Sequence, residues 1–403
     1  MSDYKVLFLG HDASRTGAPL LLLEIIRWLG NNSALEMELY LKRGGSIETD
    51  YSQLVRTFCP QGRTQCLFRK GLRKLHLMGD IEPKLTARYP VHKYPVIYAN
   101  TIATCQMAMS LAGPGRRIIQ HIHEMAYATD VYQAKDILRS AVAHTDAYIA
   151  ASRAVQEFLV DAIRVPNEKI RVIHEFPIAG CLQLSKAENR ATIRRKHGIP
   201  AEAFVIGMCG SPEWRKGTDL FVRLVQQVRE TQQGRGCYFL WVGGDRGAFR
   251  EAQYDINKLG VQDICQFVPA VDNPGAYFEA FDLFALTSRE DPFPLVMLEA
   301  AARGLPIVCF ADSGGATELV EDDAGLIVPY LDVEAMARAC VDLMMNEEKR
   351  KRFGAQAKAK VEGRYLLAQQ GPKIRAVIES VFESIPGSRD TQATVTPVAN
   401  FRR

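Results

Sequence analysis

Short β-rich apolar runs alternate with longer amphipathic stretches along almost the whole chain, and this alternation restarts near residue 204. Strands joined through helical crossovers pair in parallel, so the pattern predicts βαβ units and an α/β fold. In the first half it predicts strands at Tyr4–Leu9, Leu35–Leu41, Val96–Ala99, Arg117–His121, Ala147–Ala150 and Lys169–His174. In the second it predicts Phe204–Cys209, Tyr238–Val242, Ile264–Val268, Leu283–Thr287, Ile307–Phe310 and Leu326–Val328. The expected architecture is two Rossmann-like, doubly wound sheets in tandem, facing each other across a cleft. A chain of 403 residues exceeds what one core usually supports, which agrees with two domains. The expected boundaries are residues 1–178, 179–362, a helix over 363–386 packing back on the first domain, and a flexible tail over 387–403. Pro177 and Gly180 suit a hinge between the halves. Ligands of such sheets bind outside the carboxyl ends of the strands.

With 47% apolar and 24% charged residues, the composition is that of an ordinary soluble enzyme. A net charge of +4 without aromatic-interleaved basic blocks gives no sign of nucleic acid as a partner. Nine scattered cysteines without a CxxC pair read as reduced thiols of a cytoplasmic protein. No signal peptide is visible, and no run approaches the ~18 apolar residues of a membrane span. The segment Phe68–Leu75 places Phe68, Leu72 and Leu75 on one helical face and four basic residues on the other. A solvated surface helix is the first expectation there, and peripheral membrane contact the second.

The chemistry concentrates in Ser288-Arg289-Glu290-Asp291-Pro292-Phe293-Pro294-Leu295-Val296-Met297-Leu298-Glu299. A predicted strand runs through a proline-stiffened turn into a helix, which leaves the first-turn amides of Leu295 and Val296 free to bind an anion such as pyrophosphate. Asp291 before the helix and Glu299 one turn inside it are placed to accept hydroxyl hydrogen bonds. Helix capping is the competing explanation for Asp291. A second phosphate-binding loop is Cys209–Gly217, in which Lys216 is positioned to neutralise a diphosphate. Gly10–Pro19 is a third strand-to-helix loop, with Gly17 at the helix start; it lacks the dinucleotide fingerprint. His121 and His123 lie on one side of the strand end, and no third ligand at metal spacing accompanies them. Glu124 follows His123 at that strand end, and Asn100, Thr101 and, more weakly, Ser152 sit at other carboxyl strand ends.

The 288–308 segment resembles the signature region of glycosyltransferase family 4, whose fold is GT-B. The family pattern is E-x7-E; here Asp291 aligns as the first acid with Phe293, prolines replace both flanking glycines, and Glu290 fits only with one extra residue. Asp312–Val320 resembles the family's Gly-Gly turn, with Glu318 expected as a structural cap. Lys216 matches a family lysine, Ser211 stands where an arginine is usual, and Arg215 is a substitute cation. The resemblance implies a retaining, metal-independent transferase without a cofactor. It would move a hexose from a nucleoside-diphosphate sugar, UDP-glucose first and GDP-mannose next. The acceptor would be a saccharide or lipid-linked saccharide in surface or exopolysaccharide assembly. The resemblance further implies catalytic roles for His123, Asp291, Lys216 and Arg215. Donor contacts would come from Gly17, Ser211, Glu290, Phe293, Pro294, Leu295, Val296 and Glu299. The acceptor side would be Asn100, Thr101 and Glu124. A GT-B nucleotide-sugar epimerase and a non-enzymatic nucleotide-sugar sensor are the rival readings.

Overall fold

The computed structural model describes residues 4–60, 93–178, 188–271 and 273–385. The basic run 68–75, part of the expected hinge and the tail 387–403 lie outside them.

The first sheet contains β1 (Lys5–Gly10), β2 (Glu36–Leu41), β3 (Arg56–Phe58), β4 (Val96–Asn100), β5 (Arg117–Ile122), β6 (Ala147–Ala150) and β7 (Ile170–Val172), in the order β3-β2-β1-β4-β5-β6-β7. The second contains β8 (Phe204–Cys209), β9 (Cys237–Val242), β10 (Cys265–Val268), β11 (Leu283–Leu286), β12 (Ile307–Phe310) and β13 (Gly325–Val328), ordered β10-β9-β8-β11-β12-β13. Every pairing is parallel. The central strands are mostly apolar because helices cover both faces; every residue of β4 is buried, the polar Asn100 at its carboxyl end included.

The three-residue edge strand β3 escapes the sequence pattern because it is too short to show alternation. Strand β7 is shorter than expected. Lys169 belongs to the preceding turn, where its Nζ donates to the carbonyls of Val142 and Thr145 at 3.2 and 2.8 Å.

The helix Leu367–Glu383 follows the second sheet in sequence but packs on the first. Ile374, Val377, Ile378, Val381 and Phe382, spaced along one helical face, join Val6, Phe8, Tyr98 and Ile119 in a single core. Gly371 admits this approach, since a Cβ there would lie 2.5 Å from the Trp28 ring.

Candidate functional site

Asp291 is the centre of the C-terminal half of the site. Its backbone pairs with the glycine turn: its N–H donates to Ser313 O at 2.7 Å and its carbonyl accepts from Gly315 N at 3.2 Å. Its buried carboxylate accepts from Lys216 Nζ and, at 3.2 Å, from Ser288 Oγ through Oδ2, and from Arg215 Nη1 at 3.3 Å through Oδ1. Burial alone would raise this carboxyl, but the charges of Lys216 and Arg215 outweigh it and hold the group below the ordinary aspartate value of 3.8. The stabilisation is therefore complete above that value and is lost as pH falls through the lower folded one.

Lys216 closes the 3₁₀ turn Trp214–Lys216 ahead of the helix Thr218–Glu230. The αL residue Gly217 (φ 71°) lets the chain enter that helix under β11, where a Cβ would lie 2.0 Å from Thr287 O. Ser211, by contrast, is exposed on its loop.

Two uncapped helix starts meet at the site. In Leu295–Ala302 the preceding Pro294 offers no side-chain cap, and the amides of Leu295 and Val296 have no partner among the described residues. In Gly17–Asn32, Thr16 makes no side-chain cap bond either, and Pro19 brings no N–H. The helices abut: a Cβ on Gly17 would touch Leu295 Cδ1 at 3.4 Å. Two positive dipole ends thus lie side by side, and Lys216 and Arg215 are bonded to Asp291, four residues before Leu295. Glu299 is buried within the first of these helices and Phe293 in the turn before it.

In the N-terminal half, Asn100 Nδ2 donates to Ala18 O at 3.2 Å, which turns its Oδ1 toward His123 Nε2 at 2.8 Å. An amide oxygen only accepts, so Nε2 carries a hydrogen. The other ring nitrogen, Nδ1, lies 2.9 Å from Glu175 Oε1. A proton must lie in that contact too, on the imidazole or on the carboxyl, since two lone pairs would repel. Both ring nitrogens are therefore engaged within this half, and a sugar hydroxyl reaching His123 has to displace Asn100 or Glu175. The carboxylate of Glu124 accepts from the amides of Ile102 and His123 at 3.2 and 3.0 Å, and burial raises its pKa. Thr101 is buried with φ 77°, and its Oγ1 lies 3.4 Å from His11 Nδ1. The ring of His121 lies 4.0 Å from that of His123, tilted by 40°, and burial lowers its pKa well below the usual histidine value.

Contacts between the halves involve residues whose partners sequence could not supply. Both Glu290 carboxylate oxygens accept from Tyr127 N at 3.0 Å, at the start of the helix Ala126–Val131. The Glu290 carboxylate is thus taken by the opposite half, while its carbonyl accepts from Arg215 Nη1 at 3.0 Å. Trp214 is stacked between Tyr127, at 5.0 Å, and the Arg289 guanidinium, at 4.6 Å. Glu318 Oε1 accepts from Arg153 N at 2.8 Å and its Oε2 meets His174 Nε2 at 2.7 Å, so it caps a helix start of the opposite half. Ser152 caps that same helix and packs against Gly315, where a Cβ would come within 2.7 Å of it. Beside this junction lies a cavity of about 690 Å³ lined by Arg153, Glu318, Arg364, Tyr365 and Lys373. Among the described residues no group of three or more His, Cys, Asp or Glu is arranged to hold a metal ion, and no helix is long and apolar enough to cross a membrane.

This division of labour gives a direct check. Glu290→Gln is expected to keep turnover within about threefold, because an amide oxygen still accepts from Tyr127. Asp291→Asn, which leaves Lys216 and Arg215 without their counter-charge, is expected to lower it about 100-fold. Steady-state rates of the two variants distinguish them.

Two parallel sheets whose carboxyl edges meet across such a cleft define a protein of the GT-B type. The family model "Glycosyl transferases group 1" matches residues 189–360, and "Glycosyltransferase Family 4" matches residues 55–176. The chain belongs to glycosyltransferase family 4. It is similar to the D-inositol 3-phosphate glycosyltransferase of Xylanimonas cellulosilytica, with 28% identity over 229 residues, 54% of this chain and 53% of that one. It is also similar to the lipopolysaccharide core biosynthesis mannosyltransferase LpsB of Rhizobium meliloti, with 32% identity over 187 residues, 45% of this chain and 53% of that one. The chain spans about half the length of the curated relatives it matches. Among solved structures, Anabaena Alr3699/HepE in complex with UDP and glucose superposes with a TM-score of 0.74 at 23% identity, covering 94% of this chain and 100% of that one. Sucrose-phosphate synthase of Thermosynechococcus elongatus gives 0.75 at 17% identity, covering 94% and 99%. These likenesses establish the shared fold.

Proposed function

We propose that the protein transfers a hexose, with retention of configuration, from a nucleoside-diphosphate sugar to a hydroxyl of a saccharide or lipid-linked saccharide. The observation that carries this reading is the adjacency of two uncapped helix starts, with Lys216 and Arg215 held by Asp291 just ahead of one of them, an arrangement suited to a departing diphosphate. Leu295 and Val296 amides and Lys216 stabilise the leaving group, while Glu299 holds the ribose. Asp291 keeps Lys216 in place and lies on the sugar side. Among the described residues no side chain is placed as an obvious nucleophile, and the departing phosphate takes the acceptor's proton on the face it leaves. Cations and amides supply the charge neutralisation, and no metal is needed.

UDP-glucose is the preferred donor, supported by the solved likeness to a protein holding UDP and glucose. GDP-mannose is the second reading, favoured by the 32% identity to LpsB, which is named a mannosyltransferase. The pathway proposed is surface or exopolysaccharide assembly, on the cytoplasmic side.

A thermal-shift panel of nucleotide sugars tests the donor. The true donor at 100 times its Kd adds about 2.7 kcal/mol of stability. Product analysis with a saccharide acceptor separates transfer from epimerisation and from binding without turnover. Turnover is expected to persist in EDTA; a loss restored by a divalent ion would remove the metal-free mechanism. If no UDP- or GDP-sugar is bound or consumed, the proposal fails.

A further inference from the structure

Glu175 lies just beyond β7, in His174-Glu175-Phe176-Pro177, at the end of the matched N-terminal region and in none of the motifs described above. Its side chain is only 8% exposed, yet its carboxylate is half used. Oε1 meets His123 Nδ1, whereas Oε2 has no hydrogen-bond partner among the described residues. Oε2 is also absent from the fully enclosed polar atoms that lack partners, so it keeps a face open to solvent. Through His123 and Asn100, Glu175 is linked to Ala18, in the helix start that abuts Leu295 of the opposite half, so it lies on the cleft side of its own half.

An acceptor oxygen in a recess that is still open to solvent is free to exchange water for a ligand donor. A phosphate cannot be that donor, because a carboxylate repels it; the phosphate-seeking groups are the two helix starts and their cations. What remains is a neutral hydrogen-bond donor next to the diphosphate, and with the ribose assigned to Glu299 this is a hydroxyl of the sugar ring. Asp291 is poorly placed to serve alone. One of its oxygens is occupied by Arg215, the other by Lys216 and Ser288. Glu175, in contrast, is held in a defined rotamer by a relay from Ala18 O through Asn100 and His123.

We propose that Glu175 Oε2 accepts a hydrogen bond from a ring hydroxyl of the transferred sugar, so that Glu175 is a sugar-reading residue and His123 and Asn100 position it. The proposal rests on the glycosyl-transfer reading. It also moves the function of His123 from touching the sugar to orienting the group that does.

The test uses the full chain with the best nucleotide sugar of the panel, its free nucleoside diphosphate, and its 2-, 3-, 4- and 6-deoxy sugar analogues. Glu175→Ala is expected to lower kcat/KM for the nucleotide sugar at least tenfold while the Kd for the free diphosphate stays within twofold. Glu175→Gln, which retains an acceptor oxygen, is expected to recover part of the loss. One deoxy donor is expected to be equally poor with wild type and Glu175→Ala, identifying the hydroxyl. If Glu175→Ala keeps kcat/KM within twofold, or no deoxy donor closes the gap, the proposal is overturned. Should the alanine variant not fold, Glu175→Gln and Glu175→Asp with the same deoxy series decide the question in the same way. Loss of diphosphate binding in step with sugar turnover would instead mark Glu175 as structural and overturn the proposal. A wild type that neither binds the diphosphate nor consumes the nucleotide sugar overturns the glycosyl-transfer reading, and the proposal falls with it.

Discussion

Lys216→Ala is expected to lower turnover about 100- to 1000-fold, the usual loss when one preorganised group is removed from developing negative charge. The same change strips the buried Asp291 carboxylate of its nearest cation. Breaking a buried pair from one side costs about 3–5 kcal/mol, and Arg215 and Ser288, which stay bonded to Asp291, put this case at the low end. The two losses separate in a double variant. Lys216→Met combined with Asp291→Asn removes both charges and is expected to regain most of the stability in urea denaturation, yet none of the turnover. Recovery of turnover in that variant would show that Lys216 serves only to neutralise Asp291.

A comparably large effect is expected from one methyl group at position 314. Gly314 has φ 119° and pairs with Asp291 in an isolated bridge, and a Cβ there would lie 2.0 Å from the Asp291 carbonyl oxygen. Gly314→Ala therefore carries a backbone penalty of about 1–3 kcal/mol and pushes Asp291 off its cations. A displacement of about 1 Å at such a centre costs on the order of 100-fold in rate. Thermal unfolding and kcat at saturating donor measure the two consequences. A variant with wild-type kcat would mean that the glycine turn does not set the position of Asp291.

The sheets are legible in the sequence because each strand is an apolar run between helical stretches, and every expected strand exists within a few residues of its predicted ends. The site is legible where one local segment carries several parts, as in Asp291 to Glu299. It is illegible where a role depends on what folds opposite. Glu290 and Asp291 are neighbours with the same charge, and no pattern says which of them turns to Lys216. That is decided by Tyr127, 163 positions earlier in the chain, which takes the Glu290 carboxylate. Glu318 shows the same blindness: its pattern predicts a helix cap, but the helix it caps belongs to the other half. Glu175 sits in no motif at all, and only the position of His123 makes it conspicuous.

The return of Leu367–Glu383 to the first sheet has a mechanical result. The chain crosses between the two halves twice, so they are mounted like a door on two hinges and not like beads on one string. The first half is also not a separable module. Cut after residue 178, it would present the bare apolar patch that Ile374, Ile378 and Phe382 now cover, and is expected to aggregate unless that helix is supplied in trans.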